Sequence, residues 1–511
     1  MNFRSPKLSL ADMLGESFLQ QVVQANVALG RLNAKEADAL AHEKVDFFPE
    51  NLQKQDEALL KQVGTQIVTP FNNTVDGAPT DAFRKATHKS SAPITGAGCF
   101  RIGEDGRLYL IGKSEHYHAS LGHKFNGYRL VDNARALGLL NATHNNTRGY
   151  VTRLLETRLI QSANGIDWED EASTAAVVAS KEPHVLNRVI SLETGSLAVE
   201  AGVKMMLARF YRLDNTFSEP KYSGRIPVFF VMADNDGGKA GNYHGTTVLT
   251  QTFRGLWPEL CEEADTGNLY KVVPVAINDI SDFESKMEKY NIGKYKTAGF
   301  IHEIVMMNYG GIRLTEEFLQ SAYACCRRYD TPTMVDEIQS CMWYKGMFLY
   351  RLYGLKPDFA IIGKGFPGGE YSASKILTTA EMDTLNQFGA LVTNGQEELA
   401  SLSYLITMTF MQANGDFVEK YGNLLMQELC AVQQRHPEAL NKVEGRGHLI
   451  GLQFADVTKA AEFSEKLNAR YIDSSAQLYK ANCPPAVLIK PPVISSEATV
   501  RYIAAVIDKL L

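Results

Sequence analysis

Two short segments place reactive side chains at the ends of apolar runs. In Thr333-Met334-Val335-Asp336-Glu337-Ile338-Gln339 an apolar strand ends in an acid, and a glutamine follows three residues later. In Pro357-Asp358-Phe359-Ala360-Ile361-Ile362-Gly363-Lys364-Gly365 a second apolar strand delivers a lysine between two glycines. The glycines leave the lysine uncrowded and permit unusual backbone angles. A lysine just past a buried strand is costly unless it is paired or chemically converted. A Schiff base with an aldehyde cofactor converts it. A third segment, Ser191-Leu192-Glu193-Thr194-Gly195-Ser196-Leu197-Ala198-Val199-Glu200, runs from a strand through a polar turn into a helix. Thr194 is suited to cap that helix, and the amides of Gly195 and Ser196 would face an anion with the helix dipole behind them. The fourth, Asn242-Tyr243-His244-Gly245, sets an aromatic ring in a glycine-flanked loop.

Each of these has an ordinary structural reading. An acid after a strand is often a cap, a lysine between glycines a turn, and a Thr-Gly-Ser turn a routine helix start. Their order, their contexts and the 28 residues from Asp336 to Lys364 carry more. Together they supply what pyridoxal 5'-phosphate needs: an amine for the imine, an acid for the pyridine nitrogen, a helix N-terminus for the phosphate and a ring to stack on.

The elements that must position these groups follow from the pattern. From 150 to 385 short strands (189–192, 227–232, 272–276, 299–305, 333–335 and 359–362) alternate with amphipathic helices such as 197–211 and 316–328. That alternation predicts a mostly parallel sheet covered on both faces, with ligands at the carboxyl ends of its strands. Before it, glycines at 96, 98, 103, 106 and 112 punctuate short apolar runs, which reads as strands and tight turns. Residues 17–63 show helical spacing with a turn near Phe48-Pro49, and their plain role is packing. The tail reads as helices over 397–411 and 416–434, a strand over 447–454 and a helix over 458–469. Four regions result: a helical extension (1–90), a region of strands and tight turns (91–150), a region of strand–helix alternation (151–385) and a tail (386–511).

The 511 residues are 45% hydrophobic and 22% charged with a net charge of −6, which argues against disorder and gives no electrostatic case for nucleic acid or an anionic membrane. No apolar run reaches the roughly 20 residues of a bilayer span, and no secretory signal is readable at the start. The seven cysteines form no CxxC pair, so a reducing, cytoplasmic setting is expected.

The chain resembles the class III (ornithine and 4-aminobutyrate type) aminotransferases of pyridoxal phosphate fold type I over about 95–511. Asp105-Gly106-Arg107-Leu108-Tyr109-Leu110 looks like the family's opening strand pair, and Leu121-Gly122-His123 resembles its "LGH" turn. Thr194–Glu200 resembles "SGxEAxE", and Tyr243-His244-Gly245 matches "YHG". Glu303 and its strand resemble "EP", Asp336-Glu337-Ile338-Gln339 resembles "DEVQ", and Gly363-Lys364-Gly365 resembles "AKG". Val392-Thr393-Asn394-Gly395 resembles the "TFGG" loop, and Gly445-Arg446-Gly447 precedes a Gly-Leu strand as in the family's C-terminal domain.

The resemblance implies an α/β fold with a mostly parallel, seven-stranded-type sheet, a smaller α+β domain and a helical extension. It implies Lys364 as the Schiff-base lysine and proton carrier, Asp336 on the pyridine nitrogen and Gln339 on the ring hydroxyl. Gly195 and Ser196 would hold the phosphate, Tyr243 would stack on the ring with His244 beside it, and Glu303 would support the cofactor-side network. Thr393 would reach the phosphate of a neighbouring subunit, implying a homodimer with shared active sites. The activity implied is transfer of an amino group from an amino acid or amine to a keto acid or aldehyde through pyridoxamine phosphate. A decarboxylase, aminomutase or racemase on the same scaffold stays open, as does a non-catalytic cofactor-binding protein, because pocket geometry selects which bond breaks.

Two departures stand out. The family often carries an Arg three residues before a Pro-Pro pair, to hold a substrate carboxylate. Here the pair is Pro491-Pro492, that position is Leu488, and Lys490 adjoins the prolines. The family's partner acid in a "GEGG" loop is also missing from Met306-Met307-Asn308-Tyr309-Gly310-Gly311. Joint loss avoids a buried unpaired charge and predicts a more apolar pocket around Leu488, Met306 and Met307. Asn394 and Gln396-Glu397 also alter the "FGGNP" loop. His116, His118 and His123 could suggest a metal site, but their spacing is unspecific and a structural role is preferred. Arg148 and Arg153 fit a solvated helix face better than a carboxylate site. Gly365–Gly369 lacks the Lys-Ser/Thr of a P-loop.

Overall fold

The computed structural model describes residues 3–113, 118–477 and 483–511. Its centre is a seven-stranded sheet made from the apolar runs of the middle of the chain. In chain order the strands are β1 (Leu186–Leu192), β2 (Ile226–Met232), β3 (Lys271–Val275), β4 (Tyr295–His302), β5 (Thr333–Asp336), β6 (Phe359–Ile362) and β7 (Ser374–Thr379). Their order in the sheet is β1-β7-β6-β5-β4-β2-β3. The pairs β2–β3, β2–β4, β4–β5 and β5–β6 are parallel, and β7 is antiparallel to both β6 and β1.

Both faces of the sheet are covered, as continuous apolar strands require. Val228, Phe230, Val335, Ala360 and Ile362 enter one buried cluster, while Phe229, Val231, Met334, Phe359 and Ile361 enter a second. Successive side chains therefore point to opposite layers. Helix α1 (Gly195–Leu207) lies on the second face against β4, β6 and β7.

The smaller domain combines both ends of the chain. Leu108–Ile111 pairs antiparallel with Phe100–Gly103 and parallel with Ile472–Asp473. A second sheet joins Lys442–Arg446, β8 (Leu449–Gln453), β9 (Ala486–Ile489) and Ser475–Ala476. The N-terminal helices Leu10–Leu14, Glu16–Ala28, Ala34–His42 and Glu50–Leu59 are anchored through Phe3. Its ring sits among Phe48, Phe410, Phe417 and Tyr421 at 5.5–6.1 Å between centroids.

Several expected elements differ in extent. The two tail helices are one, α2 (Glu398–Arg435). Asn414 and Gly415, between the two expected helices, are used for packing. Asn414 bonds both main-chain groups of Arg4 and also donates to Phe410 O at 3.0 Å, while Lys345 closes on Gly415 where a Cβ would stand 3.2 Å from its Cγ. The helix expected over 197–211 starts two residues earlier because Thr194 caps it. The strand expected over 299–305 ends at His302, and Val305–Met306 pairs separately with Ile312–Arg313. Glu303 thus stands at a strand exit. β7 has a polar half, and its alternation gave no strand signal.

One buried acid fixes the strands that carry the reactive groups. Asp358 Oδ2 accepts from the Thr333 amide at 2.8 Å, and the Asp358 amide donates to Thr333 O at 3.0 Å. His184 Nδ1 lies 2.8 Å from Asp358 Oδ1. This link ties the start of β5 to the start of β6. With Asp336 opposite Ile361 in register, Asp336 and Lys364 leave the same sheet edge side by side.

Candidate active site

At the carboxyl ends of β1, β5 and β6 lies a cavity of about 440 Å³ bordered by Gly195, Ser196, Tyr243, His244, Asp336 and Lys364. That volume is in the roughly 300–1,000 Å³ range of small-molecule and cofactor sites. The structure therefore brings six of the sequence-predicted residues to one place. Gln339, Glu303 and Thr393 do not border it.

Lys364 follows β6 with φ +46°, a left-handed conformation that costs a non-glycine residue roughly 1–2 kcal/mol. The unusual angle thus falls on the lysine and not on Gly363 or Gly365. Gly363 serves close approach: a Cβ there would stand 2.6 Å from Ile338 Cδ1 and 3.0 Å from Ala373 O. A Cβ on Gly195 would meet the same Ile338 at 2.8 Å. Ile338 is therefore wedged between the lysine loop and the start of α1, and it forms one wall of the cavity. Burial lowers the Lys364 pKa, while Glu303 and Asp336 act the other way. The amine is thereby poised closer to its neutral, nucleophilic form.

Asp336 is 2% exposed, and its Oδ2 lies 2.9 Å from His244 Nδ1. Its Oδ1 accepts from the Ile338 amide at 3.1 Å. Glu337, next in sequence, points away and caps Leu349–Leu352, accepting from the Leu349 amide at 2.9 Å. Burial pushes its carboxyl up to about 7. Gln339 Nε2 donates to Glu303 Oε1 at 3.0 Å, and Gln339 Oε1 has no hydrogen-bond partner among the described residues.

At the opposite end, the Ser196 amide donates to Thr194 Oγ1 at 3.1 Å. The cap therefore already engages one amide expected to face an anion. Ser196 Oγ accepts from the Thr246 amide at 3.0 Å, which draws the loop after Tyr243 onto α1. The Tyr243 ring carries Arg254 over one face at 5.6 Å. Thr393 is exposed, in a loop held to this rim by the Asn394 amide on Glu193 Oε1 at 3.2 Å.

The expected apolar pocket takes another form. Leu488, Met306 and Met307 are buried, but none borders the cavity. Basic groups gather around Lys364 instead. Lys490 is fully buried; its Nζ donates to Gln339 O at 2.6 Å and lies 3.6 Å from the centroid of Trp343. Burial, then Lys364, lowers its pKa well below the usual lysine value. Burial brings Lys113 down to about 8, with Lys364 adding to the effect.

His118, for which the sequence favours a structural role over a metal site, borders the cavity. Ile338 carries no chemical signal in the sequence beyond its place two residues past Asp336. Glu193 and Thr246 also line the cavity and were missed, since neither residue type stands out in its segment. His123 pairs its backbone with Gly98, and His116 lies outside the described residues. Among the described residues no group of three side chains could hold a metal ion. Arg148 reaches Glu156 at 3.5 Å, and Arg153 Nη1 donates to Arg148 O at 3.3 Å; both lie away from the cavity.

The donor set fits pyridoxal phosphate. A glycine at the start of a helix, a buried carboxylate, a half-buried ring and a lysine border the cavity and answer its phosphate, ring nitrogen, ring face and aldehyde, and the buried, unsatisfied amide oxygen of Gln339 answers its hydroxyl.

Comparison with known proteins agrees. The family model "Aminotransferase class-III" matches residues 123–508. The acetylornithine aminotransferase of Aquifex aeolicus (strain VF5) is 24% identical, over 80% of this chain and 96% of that protein. The ornithine aminotransferase of Halalkalibacterium halodurans is 26% identical, over 61% of this chain and 71% of that protein. In fold, the chain is similar to adenosylmethionine-8-amino-7-oxononanoate aminotransferase from Methanocaldococcus jannaschii DSM 2661. That match has TM-score 0.66 at 20% identity, covering 90% of this chain and 98% of the other. With its fold, its site and these relatives in agreement, the chain belongs to the class III aminotransferases and is a pyridoxal phosphate-dependent transaminase.

Proposed function

We propose that Lys364 is the catalytic amine of this transaminase and that Asp336 is the acid that makes its cofactor an electron sink. The observation that carries this reading is the joint placement of both side chains on one cavity wall, at the ends of two neighbouring parallel strands. When bound, pyridoxal phosphate supplies the electron-withdrawing ring that stabilises negative charge on the substrate carbon. Lys364 Nζ would take the proton from the amine-bearing carbon and carry it to the cofactor carbon that had borne the aldehyde oxygen, a task favoured by its lowered pKa. Asp336, steadied by His244, holds the pyridine nitrogen protonated. Gln339, steadied by Glu303, meets the ring hydroxyl. Gly195 through its amide and Ser196 through its hydroxyl would hold the phosphate at the start of α1. Tyr243 and Ile338, which both border the cavity, would pack against the ring and exclude water.

A homodimer in which Thr393 reaches the phosphate of the neighbouring subunit is part of the same proposal. Its support is the exposure of Thr393 on a loop pinned at the cavity rim. The substrates are an amino donor and a carbonyl acceptor, and a cytoplasmic setting is proposed with them. Among the described residues no helix is long and apolar enough to cross a membrane.

The test is reconstitution with pyridoxal phosphate followed by addition of amino donors. Wild type should show the visible band of the lysine-linked cofactor and lose it on reaction with a donor. Lys364→Ala should bind the cofactor without that band and fail to turn over. Steady-state transamination by Lys364→Ala would overturn the assignment.

A further inference from the structure

Gln339 stands in a stretch that has no regular structure of its own. The run 337–348, between β5 and Leu349–Leu352, consists of turns and bends. It closes on itself locally: the Ser340 and Cys341 amides donate to Glu337 O at 3.1 and 2.8 Å, and the Met342 amide donates to Met347 O at 2.6 Å. Met342 and Met347 are both left-handed, with φ +66° and +71°. Such strain persists only where the surroundings over-determine the chain. Here the surroundings include the small domain. Tyr344 Oη donates to Arg446 O at 2.7 Å, Trp343 Nε1 to Pro491 O at 3.3 Å, and Lys490 Nζ to Gln339 O at 2.6 Å.

Lys490 and Trp343 form the unusual pair among these. Their exposures are 0% and 1%. The Lys490 amine lies 3.6 Å from the centre of the Trp343 ring, well inside the roughly 6 Å over which a ring face attracts it. A buried lysine is costly unless its hydrogens find acceptors, and the Gln339 carbonyl and the indole face both serve. The Lys490 backbone is fixed in turn, since its amide, just past β9, donates to Gly112 O at 2.8 Å. Lys490 thus ties a strand exit of the small domain to the main chain of Gln339. Gln339 Nε2 is committed to Glu303 at 3.0 Å, and its Oε1 is buried and unsatisfied among the described residues. With carbonyl and Nε2 both held, Oε1 is presented in one orientation.

We propose that Lys490 is a positioning residue for the cofactor: clamped on the Trp343 face, it holds the main chain of Gln339 so that the Gln339 side chain meets the ring hydroxyl. The small domain then sets the hydroxyl contact of a cofactor that the large domain binds. Neither Lys490 nor Trp343 borders the cavity, so the effect passes through Gln339. The inference rests on the placement of Gln339 in the transaminase reading above and deepens it.

The test is spectroscopic and uses the reconstituted holoenzyme. A hydrogen bond to the ring hydroxyl shifts the lysine-linked cofactor between its visible and near-ultraviolet bands, so their ratio reads the Gln339 contact. The ratio is measured for wild type, Gln339→Leu, Lys490→Met, the double variant of these two, Trp343→Leu and Trp343→Phe. Lys490→Met should move it in the same direction as Gln339→Leu and weaken cofactor retention about fivefold, the worth of one hydrogen bond. The double variant should match Gln339→Leu alone, because residues acting as one unit are not additive. Trp343→Leu should follow Lys490→Met, while Trp343→Phe, which keeps a ring under the amine, should stay near wild type. A wild-type ratio in Lys490→Met with its fold intact by circular dichroism, or a double variant whose shift is the sum of the single shifts, contradicts the inference. Should Lys490→Met fail to fold, equal ratios in wild type, Trp343→Leu and Trp343→Phe contradict it in the same way. An unmoved ratio in Gln339→Leu, with the visible band intact, removes Gln339 from the hydroxyl and takes the inference with it, while Lys364 keeps its role. Absence of the visible band in wild type sinks the transaminase reading itself.

Discussion

Gly363 and Asp336 test the geometry one residue at a time. Gly363→Ala would drive a methyl against Ile338 and the carbonyl of Ala373. Overpacking of this kind costs about 1–3 kcal/mol. A lower thermal midpoint together with weaker cofactor retention is expected, since Ile338 also walls the cavity. Asp336→Asn keeps the shape and removes the charge. Loss of a hydrogen bond to a charged group is worth about 1.5–3 kcal/mol, so kcat/KM should fall roughly 10- to 100-fold with the fold unchanged by circular dichroism. Lys364 and Asp336 were legible in the sequence because each ends an apolar strand. The cavity positions of His118 and Ile338 were not, because they depend on chain segments that meet only in the folded molecule. Lys490 was legible beside its prolines, yet its contact with Trp343 could not be seen from either position alone.

Among the elements, the link between β5 and β6 carries most of the site geometry. Asp358→Ala would strip the Thr333 amide of its side-chain partner and leave His184 without its acid. A buried group left unsatisfied costs about 1–3 kcal/mol, and the thermal midpoint should drop accordingly. Asp358→Asn keeps one acceptor and should lose less. The strands of the large sheet could be read within a few residues, since runs such as Phe359–Ile362 are apolar throughout and end in distinctive residues. β7 escaped because Ser374, Lys375, Thr378 and Thr379 are buried polar groups on a strand that a hydrophobicity pattern does not mark. The continuity of α2 through 412–415 is not legible from the sequence, since Arg4, whose backbone occupies Asn414, is 410 residues away.

Across the whole molecule, acid should loosen the fold through histidines buried in neutral form. Burial pushes His302 down to about 3 and His448 down to about 4, against an ordinary value near 6.5. Between these values and about 6.5 the unfolded chain binds more protons than the folded one. The stability that these two histidines contribute above about pH 6.5 is therefore lost progressively as pH falls. Glu337 and Asp56, pushed up to about 7 by burial, act the opposite way in this window, so the histidine share is read by comparison: from about pH 7 to about pH 5 the thermal midpoint of His448→Leu should fall less, or rise more, than that of wild type. The overall layout, a covered sheet with a smaller domain, was legible from strand–helix alternation. The pairing of Leu108–Ile111 with Ile472–Asp473 was not, since nothing local links segments so far apart.

The central claim is that Lys364 is the residue that takes the cofactor covalently. Borohydride reduction of the reconstituted protein, followed by peptide mapping, tests it most directly. The pyridoxyl mass should appear on the peptide containing Gly363-Lys364-Gly365 and vanish when an amino donor is added before reduction. A label on Lys490, Lys113 or any other lysine, with Lys364 unmodified, would contradict the account.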